Sequence, residues 1–357
     1  MKAIVVRPGV RDSIHMRDMP DPKLRPDQVA VRMIRAGLCG TDAEIGEGLY
    51  GAPPEGDEYL ILGHENFGIV EEVGKHARGF KAGDLVVATV RRPCRCHTCR
   101  GGEIDMCCGG AYQERGILGS HGFMAEYYVE SPQWLNRIPP ALARIGVLLE
   151  PMSVVEKGID HAFLLQRRFK WKPKTGLVLG AGPVGILGAA VMRARGLDTH
   201  VISLESDADR RARILKRLGA TYHSAAVETL LDMKKKMPPI DVAIEATASA
   251  TASVDAVQLL ASNGVLCLLS LTGGTATAHV PIGKIQQQIV LGNQIIFGSV
   301  NANARHFAMG LKDFRTIERK WPGVLEQLIT TRLPWDRFKD WFGTRDGGIK
   351  TTLEMTS

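Results

Sequence analysis

Leu177-Val178-Leu179-Gly180-Ala181-Gly182-Pro183-Val184-Gly185 is the stretch whose reading decides the fold. Apolar residues of strand type run into a G-x-G-x-x-G turn, and an apolar helical pattern, Ile186–Ala194, follows at once. Glycine-rich turns are common, but one set between a strand and a helix has a specific use. The first glycine permits the tight turn, the second lets backbone approach a pyrophosphate, and the third lets helix and strand pack closely. The helix start supplies free N–H groups and the positive end of the dipole. Gly180, Gly182, Pro183, Val184 and Gly185 are therefore candidate cofactor contacts. Twenty residues past Gly185, after the apolar run His200–Leu204, stands Glu205. An acid there accepts the adenosine ribose hydroxyls and repels a 2′-phosphate, which predicts NAD in preference to NADP. Arg210 and Arg211 follow closely enough to meet a phosphate instead, and Arg210 joins the cofactor candidates.

Outward from this turn the same rhythm repeats. His200–Leu204 leads into Ala208–Leu218, Val242–Ile244 into Ser253–Ala261, and Val265–Leu269 follows. Strands alternating with helical patterns predict an α/β unit with a doubly wound parallel sheet, expected over residues 156–300. The first half reads differently. Short runs (Ala3–Val6, Val29–Ile34, Ile69–Val73, Leu85–Val90, Met124–Val129) are parted by Pro/Gly turns, which predicts a β-rich domain. The tail has helical stretches at Phe307–Phe314, Val324–Ile329 and Trp335–Trp341 and a strand-like Ile349–Leu353. It is expected to pack on the first domain, giving 1–155 with 301–357.

Composition sets the outer bounds. With 357 residues, 45% hydrophobic and 23% charged, the chain has length for two ordinary globular domains and excludes collagen, coiled coil and wholesale disorder. The net charge, 45 − 38 = +7, permits anionic ligands, but the basic residues are scattered. The one run, Lys234 to Lys236, stops before Pro238-Pro239 and reads as a solvated helix end, so no nucleic-acid partner is expected. Ala3–Val6 is too short for a secretory h-region. Residues 175–192 hold five glycines, and residues 256–304, whose single formal charge is Lys284, are rich in polar residues. The expectation is a cytoplasmic chain with no membrane partner.

Two further segments carry chemistry. Gly37-Leu38-Cys39-Gly40-Thr41-Asp42 and Gly63-His64-Glu65-Asn66-Phe67-Gly68 offer a thiolate, an imidazole and a carboxylate, a set suited to zinc with an open coordination position. Taken singly, each is more often a packing residue. Cys94, Cys96, Cys99, Cys107 and Cys108 make five of the seven cysteines, and such tight spacing in an expected reducing compartment reads as a metal site.

Joined to Gly83-Asp84-Leu85-Val86 and the later G-x-G-x-x-G, these segments resemble the zinc-dependent medium-chain dehydrogenase/reductase family over essentially the whole chain. The resemblance implies a GroES-like β-rich catalytic domain and a Rossmann coenzyme domain. Val90-Arg91-Arg92-Pro93, Glu114-Arg115-Gly116-Ile117, His121-Gly122-Phe123-Met124, Leu149-Glu150-Pro151 and Val300-Asn301 to His306-Phe307 are similar to the glucose (aldose) dehydrogenases within it. By that resemblance Cys39, His64 and Glu65 hold a catalytic zinc, Glu65 directly or through water. Glu150 supplies the third protein position, which agrees with the absence of cysteine between Cys108 and Cys267. Thr41 begins a proton relay. Glu114 and Asn301 match sugar-binding positions, against the alternatives of Glu114 pairing with Arg115 or Arg91 at the surface and Asn301 capping Ala302–Leu311.

The family's structural zinc lobe runs C-x2-C-x2-C-x7-C. Cys96, Cys99 and Cys107 keep the last two spacings, but Pro93 stands where the first cysteine belongs. Cys94, one residue late, is the expected fourth ligand, with Cys108 or His97 as alternatives. Val90 and Val154 also depart from polar positions of some relatives. The implied reaction takes hydride from the C1 hydroxyl of an aldose to NAD(P), giving the lactone. The alternatives are a polyol, threonine or secondary-alcohol dehydrogenase and, from another class, a non-catalytic binding protein on the same fold. Val265–Leu269 and Gln294–Val300 resemble the last strands of the coenzyme sheet, whose edge joins subunits in this family, so a homodimer or homotetramer is expected.

Overall fold

In the computed structural model, strand Thr175–Leu179 ends at Gly180, which turns at φ +101°, and helix Pro183–Ala194 starts immediately after Gly182. A Cβ on Gly185 would lie 2.0 Å from the Gly180 carbonyl oxygen, so the first and third glycines are required by backbone conformation and close approach. The described residues are 1–271, 280–344 and 348–355; residues 272–279 of the low-charge stretch thus lie outside them.

The chain divides into two compact units, Met1–Glu150 with Asn301–Leu311 and Ile329–Ser357, and Pro151–Val300 with Lys312–Leu328. The first division falls slightly before the expected 155/156 boundary, and Lys312–Leu328, expected with the β-rich domain, groups with the parallel sheet. That sheet has six strands in the order Thr221–Ser224, Asp198–Ser203, Thr175–Leu179, Ile240–Glu245, Leu260–Leu268, Ile295–Gly298, all parallel. Thr175–Leu179 lies centrally, and its Leu177, Val178 and Leu179 are buried, as a strand covered on both faces demands. This is the doubly wound α/β architecture.

In the β-rich unit the main sheet runs Leu135–Arg137, Leu85–Ala88, Glu65–Val73, Val29–Gly37, Lys350–Glu354, Ile329–Pro334, and Tyr127–Glu130 also pairs with Val29–Gly37. Val29–Gly37 alternates buried and half-buried residues until its last three, which are all buried. Its end pairs Gly37 with Glu65 on one side and with Thr352 on the other. Asn66 clamps the neighbouring strand by donating to the Ala88 carbonyl (2.9 Å) and accepting from the Ala88 N–H (2.7 Å). The expected helical stretch Val324–Ile329 is a single 3₁₀ turn, Leu325–Leu328, followed by strand Ile329–Pro334. That strand forms because Lys350–Glu354 offers it a parallel partner, a pairing no local pattern announces. The expected start at Ala302 moves to Ala304, and the helix runs on to Lys320.

Glu156, Arg195 and Asp313 form an ionic group in the second unit. Arg195 is bonded to Glu156 and reaches Asp313 through Nε (3.2 Å) and Nη (3.1 Å). One cation between two carboxylates leaves a surplus negative charge. Burial pushes the Glu156 carboxyl up to about 8; Arg195 opposes the shift and Asp313 adds to it. The folded state therefore binds a proton that the unfolded chain loses near pH 4.5, and stability falls as pH rises from about 4.5 to about 8. Glu156→Gln should remove this slope, worth on the order of 5 kcal/mol across the window. Urea unfolding at pH 5, 7 and 9 measures it, and a slope unchanged in the variant contradicts the assignment.

Candidate active site

Cys39 ends the bend after Val29–Gly37 and caps helix Gly40–Gly46. Its backbone N–H donates to Asp42 Oδ2 at 2.9 Å, which fixes the loop that presents the thiol. The other Asp42 oxygen faces His64 Nδ1 at 3.5 Å. Asp42 is fully buried, so one carboxylate sets both the Cys39 backbone and the His64 ring. Burial alone would lower the His64 pKa, but the Asp42 charge and hydrogen bond, with Cys39, hold it well above the ordinary value. Such a partner fixes the imidazole's orientation, the usual role of a carboxylate behind a metal-binding histidine.

Glu65 stands at the start of its strand, opposite Gly37, and no side chain fits there: a Cβ on Gly37 would lie 2.0 Å from Glu65 Oε2. Lys350 bonds Glu65 Oε1 and donates to the Leu38 carbonyl at 2.9 Å. Burial would lower the Lys350 pKa, yet Glu65, with Cys39 and Glu150 adding, keeps it raised and the side chain charged. Glu65 Oε2 is buried and receives no hydrogen bond among the described residues. One ligand atom each from Cys39, His64 and Glu65 lies within 4.8 Å of the others. A thiol, an imidazole and a buried carboxylate oxygen lacking a donor form a set that fits zinc.

Glu150 is buried and feels the same site. Burial pushes its carboxyl up to about 7, Glu65 adds to the shift and His64 and Lys350 oppose it. It is not within the cluster of Cys39, His64 and Glu65. Thr41 is half-buried in the first turn of helix Gly40–Gly46. Glu114 and Asn301 come together, with Asn301 Nδ2 donating to Glu114 Oε1 at 2.7 Å. Glu114 also pairs with Arg91, but in the interior rather than at the surface. Asn301 stands at φ +61° ahead of the helix that begins at Ala304.

The cysteine lobe closes on Cys94. The sulfurs of Cys94, Cys96, Cys99 and Cys107 lie within 4.8 Å of one another, with Cys94 3.4 Å from Cys107 and 3.8 Å from Cys99. Ligands about 2.3 Å from a tetrahedral zinc stand about 3.8 Å apart, so this set also fits the ion. The late position of Cys94 is absorbed locally. The Cys96 N–H donates to its sulfur at 3.4 Å, and Gly109 leaves the room it needs, since a Cβ there would lie 3.1 Å from Cys94 Sγ. Cys108 and His97, the alternative ligands, pair with each other instead, Sγ to Nδ1 3.5 Å.

In the parallel-sheet unit a cavity of about 480 Å³ is lined by Gly180, Ala181, Gly182, Glu205 and Arg211 among others. Glu205 accepts from Ser203 Oγ, and Arg211 Nε stands 3.6 Å from its other oxygen. Arg210, the residue singled out from sequence, is exposed at the helix start; Arg211 lines the cavity. Pro183, Val184 and Gly185 form the first turn of the helix behind it. Sequence reasoning missed Asp42 and Lys350 as site residues. Asp42 had a signal, its place three residues after Cys39; Lys350 had none.

A dinucleotide-type sheet combined with a Cys/His/Glu cluster and a four-cysteine lobe defines a medium-chain, zinc-type dehydrogenase. The pattern for the alcohol dehydrogenase GroES-like domain matches residues 25–140, and that for the glucose dehydrogenase C-terminus matches residues 143–355. The chain belongs to the glucose dehydrogenase family. It is 42% identical to a glucose 1-dehydrogenase of Methanocella arvoryzae and 40% identical to one of Caldivirga maquilingensis, with 99% of each chain covered in both cases. The crystal structure of Haloferax mediterranei glucose dehydrogenase in complex with NADP, zinc and gluconolactone matches with a TM-score of 0.90 at 34% identity, covering 100% of both chains.

Two substitutions test the two metal sets. Lys350→Met strands a buried carboxylate and should cost about 3–5 kcal/mol of stability, read by chemical denaturation. Cys94→Ser should reduce bound zinc from about two ions per chain to about one, read by elemental analysis of dialysed protein. An unchanged zinc content would remove Cys94 from the set.

Proposed function

We propose that glucose, or an aldose closely like it, is oxidised at its C1 hydroxyl, with NAD favoured over NADP as acceptor and Cys39, His64, Glu65 and Glu150 holding the catalytic zinc. The chain is an NAD(P)-dependent zinc dehydrogenase of sugars. The observation that carries the assignment of the site is the buried Glu65 oxygen without a donor, set beside the Cys39 thiol and the His64 imidazole. Zinc, when bound, makes a sugar hydroxyl more acidic and polarises the carbonyl that follows. The nicotinamide, when bound, accepts the hydride.

The protein's own groups do the rest. Asp42 orients Cys39 and His64, and Lys350 holds Glu65, so each of these proposed ligands has a protein partner that fixes its place. Thr41, two residues from Cys39, carries the released proton away through its hydroxyl. Glu114 and Asn301 take the sugar hydroxyls, where each group desolvated without a partner costs about 1–3 kcal/mol. Glu205 supports the NAD preference, since its carboxylate lines the cavity beside Gly180 and Gly182. Arg211 is tied to Glu205 and Asp209, so its guanidinium is already engaged by carboxylates rather than held for a 2′-phosphate.

The edge strand Ile295–Gly298 pairs on one side with Leu260–Leu268. Val290, Leu291 and Val300 nearby in sequence are exposed apolar residues. Pairing of this edge with a second copy gives a homodimer, or a homotetramer of two such pairs. No helix among the described residues is long and apolar enough to cross a membrane. Seven free cysteines, four of them clustered, suit a reducing, cytoplasmic location.

A matrix of aldoses and polyols against NAD and NADP, run on protein of known zinc content, tests the reading. Glucose with NAD should lead, and complete chelation should abolish turnover. Activity surviving chelation, or a polyol outrunning every aldose, would overturn it. Glu205→Ala should shift the NAD/NADP ratio of kcat/KM toward NADP by roughly tenfold, about 1.4 kcal/mol. Light scattering should report a dimer or tetramer at micromolar concentration, and a monomer would remove the proposed edge pairing.

A further inference from the structure

The consecutive arginines of Val90-Arg91-Arg92-Pro93 point opposite ways, as neighbours on a strand must. Arg92 reaches Glu130 and the Thr89 carbonyl. Arg91 lies directly across from Glu114 in the antiparallel pair Arg91–Arg92 with Gln113–Arg115. Its Nε (3.1 Å) and Nη2 (2.9 Å) both donate to Glu114 Oε1, and Nη1 donates to the Asp105 carbonyl at 3.2 Å. The guanidinium also lies 3.9 Å from the centre of the Tyr112 ring, and Arg91 is only 3% exposed. The fork is thus fixed by a carbonyl, a ring and a strand register before it touches the carboxylate.

The donors are unevenly shared. Oε1 takes both Arg91 N–H groups and the Asn301 amide, three donors on an oxygen with two lone pairs. Among the described residues no hydrogen bond reaches Oε2. Glu114 therefore presents one saturated oxygen and one open oxygen, and its rotation is locked. Tyr50 is close enough to feel it: burial first, then the Glu114 charge, raises the Tyr50 pKa and keeps its hydroxyl a neutral donor.

We infer that Arg91 is a positioning residue for sugar recognition: it consumes Glu114 Oε1 so that Oε2 alone meets a substrate hydroxyl, at a fixed place, without Arg91 touching the sugar. This rests on Glu114 being a sugar-hydroxyl acceptor. The pair is neutral overall, so the open oxygen offers directional acceptance at low electrostatic cost to an uncharged polyhydroxylated ligand. A lysine keeps the charge but lacks the planar fork, so it holds the carboxylate less firmly.

The test compares kcat/KM for glucose with that for its 2-, 3- and 4-deoxy analogues in the zinc-loaded enzyme and in Arg91→Met, Arg91→Lys, Glu114→Gln and Arg91→Met/Glu114→Gln. The parent should prefer glucose by roughly 100-fold over at least one analogue. Arg91→Met and Glu114→Gln should each compress that ratio to roughly threefold, chiefly through KM for glucose, and the double variant should lose no more than either single one. Arg91→Lys should fall between, and supplies the result if Arg91→Met does not fold. Affinity for NAD should not change. If Glu114→Gln compresses the ratio but both Arg91 variants weaken glucose and analogue equally, Arg91 is merely structural and the inference fails while the reading of Glu114 stands. If Glu114→Gln leaves the ratio unchanged, that reading fails and takes the inference with it.

Discussion

The buried pair of Glu65 and Lys350 is the constraint on which the catalytic unit is arranged. A carboxylate and an ammonium are both costly to bury, and the pair persists only where geometry and further bonds satisfy what remains. Here the strand end at Gly37 removes the side chain that would collide with Glu65, the Leu38 carbonyl takes a second Lys350 proton, and Oε2 is left over. Lys350 arrives on Lys350–Glu354, which sits between Val29–Gly37 and Ile329–Pro334. The sheet's long-range pairing and the placing of this carboxylate are thus the same problem: lose the register of Thr352 against Gly37 and the charge of Glu65 has no partner.

That dependence explains which parts were legible in the sequence. Gly180 to Gly185 announced their turn because the geometric demand is local, a tight bend and a close approach within six residues. The clustering of Cys39 with His64 and of the cysteine lobe was legible because the chemistry of metal binding restricts residue type so strongly. Lys350 was not, because it lies far along the chain and nothing in Ile349–Leu353 separates a buried cation from an ordinary strand residue. Strand Ile329–Pro334 was missed for the same reason, as its identity depends on a parallel neighbour. Cys94 lay between these cases: its spacing was wrong for the pattern, and only Gly109 and the Cys96 N–H show how the backbone absorbs the extra residue. The move from Arg210 to Arg211 at the cofactor cavity is a matter of helix phase, which near a helix start turns on where the cap falls; Asp209 sets it by accepting from the Arg211 N–H.

The catalytic unit also shows how little net charge says about a site. The chain carries +7, yet its interior chemistry is built from Asp42, Glu65, Glu114 and Glu150. Three of these acids have a cationic partner at short range: His64 at Asp42, Lys350 at Glu65, Arg91 at Glu114. Such pairing leaves individual oxygens, rather than whole charges, available to a ligand. On the proposed reading Glu65 keeps one oxygen for a cation, while Glu114 keeps one for a hydroxyl. The difference between them lies in the neighbours of each carboxylate. Beside Glu65 stand a thiol and an imidazole, ligands in their own right; beside Glu114 stand an amide, a guanidinium and a phenol, which donate and do not bind metal. The roles proposed for the same side chain, metal ligand in one place and hydroxyl acceptor in the other, follow from what its partners can give.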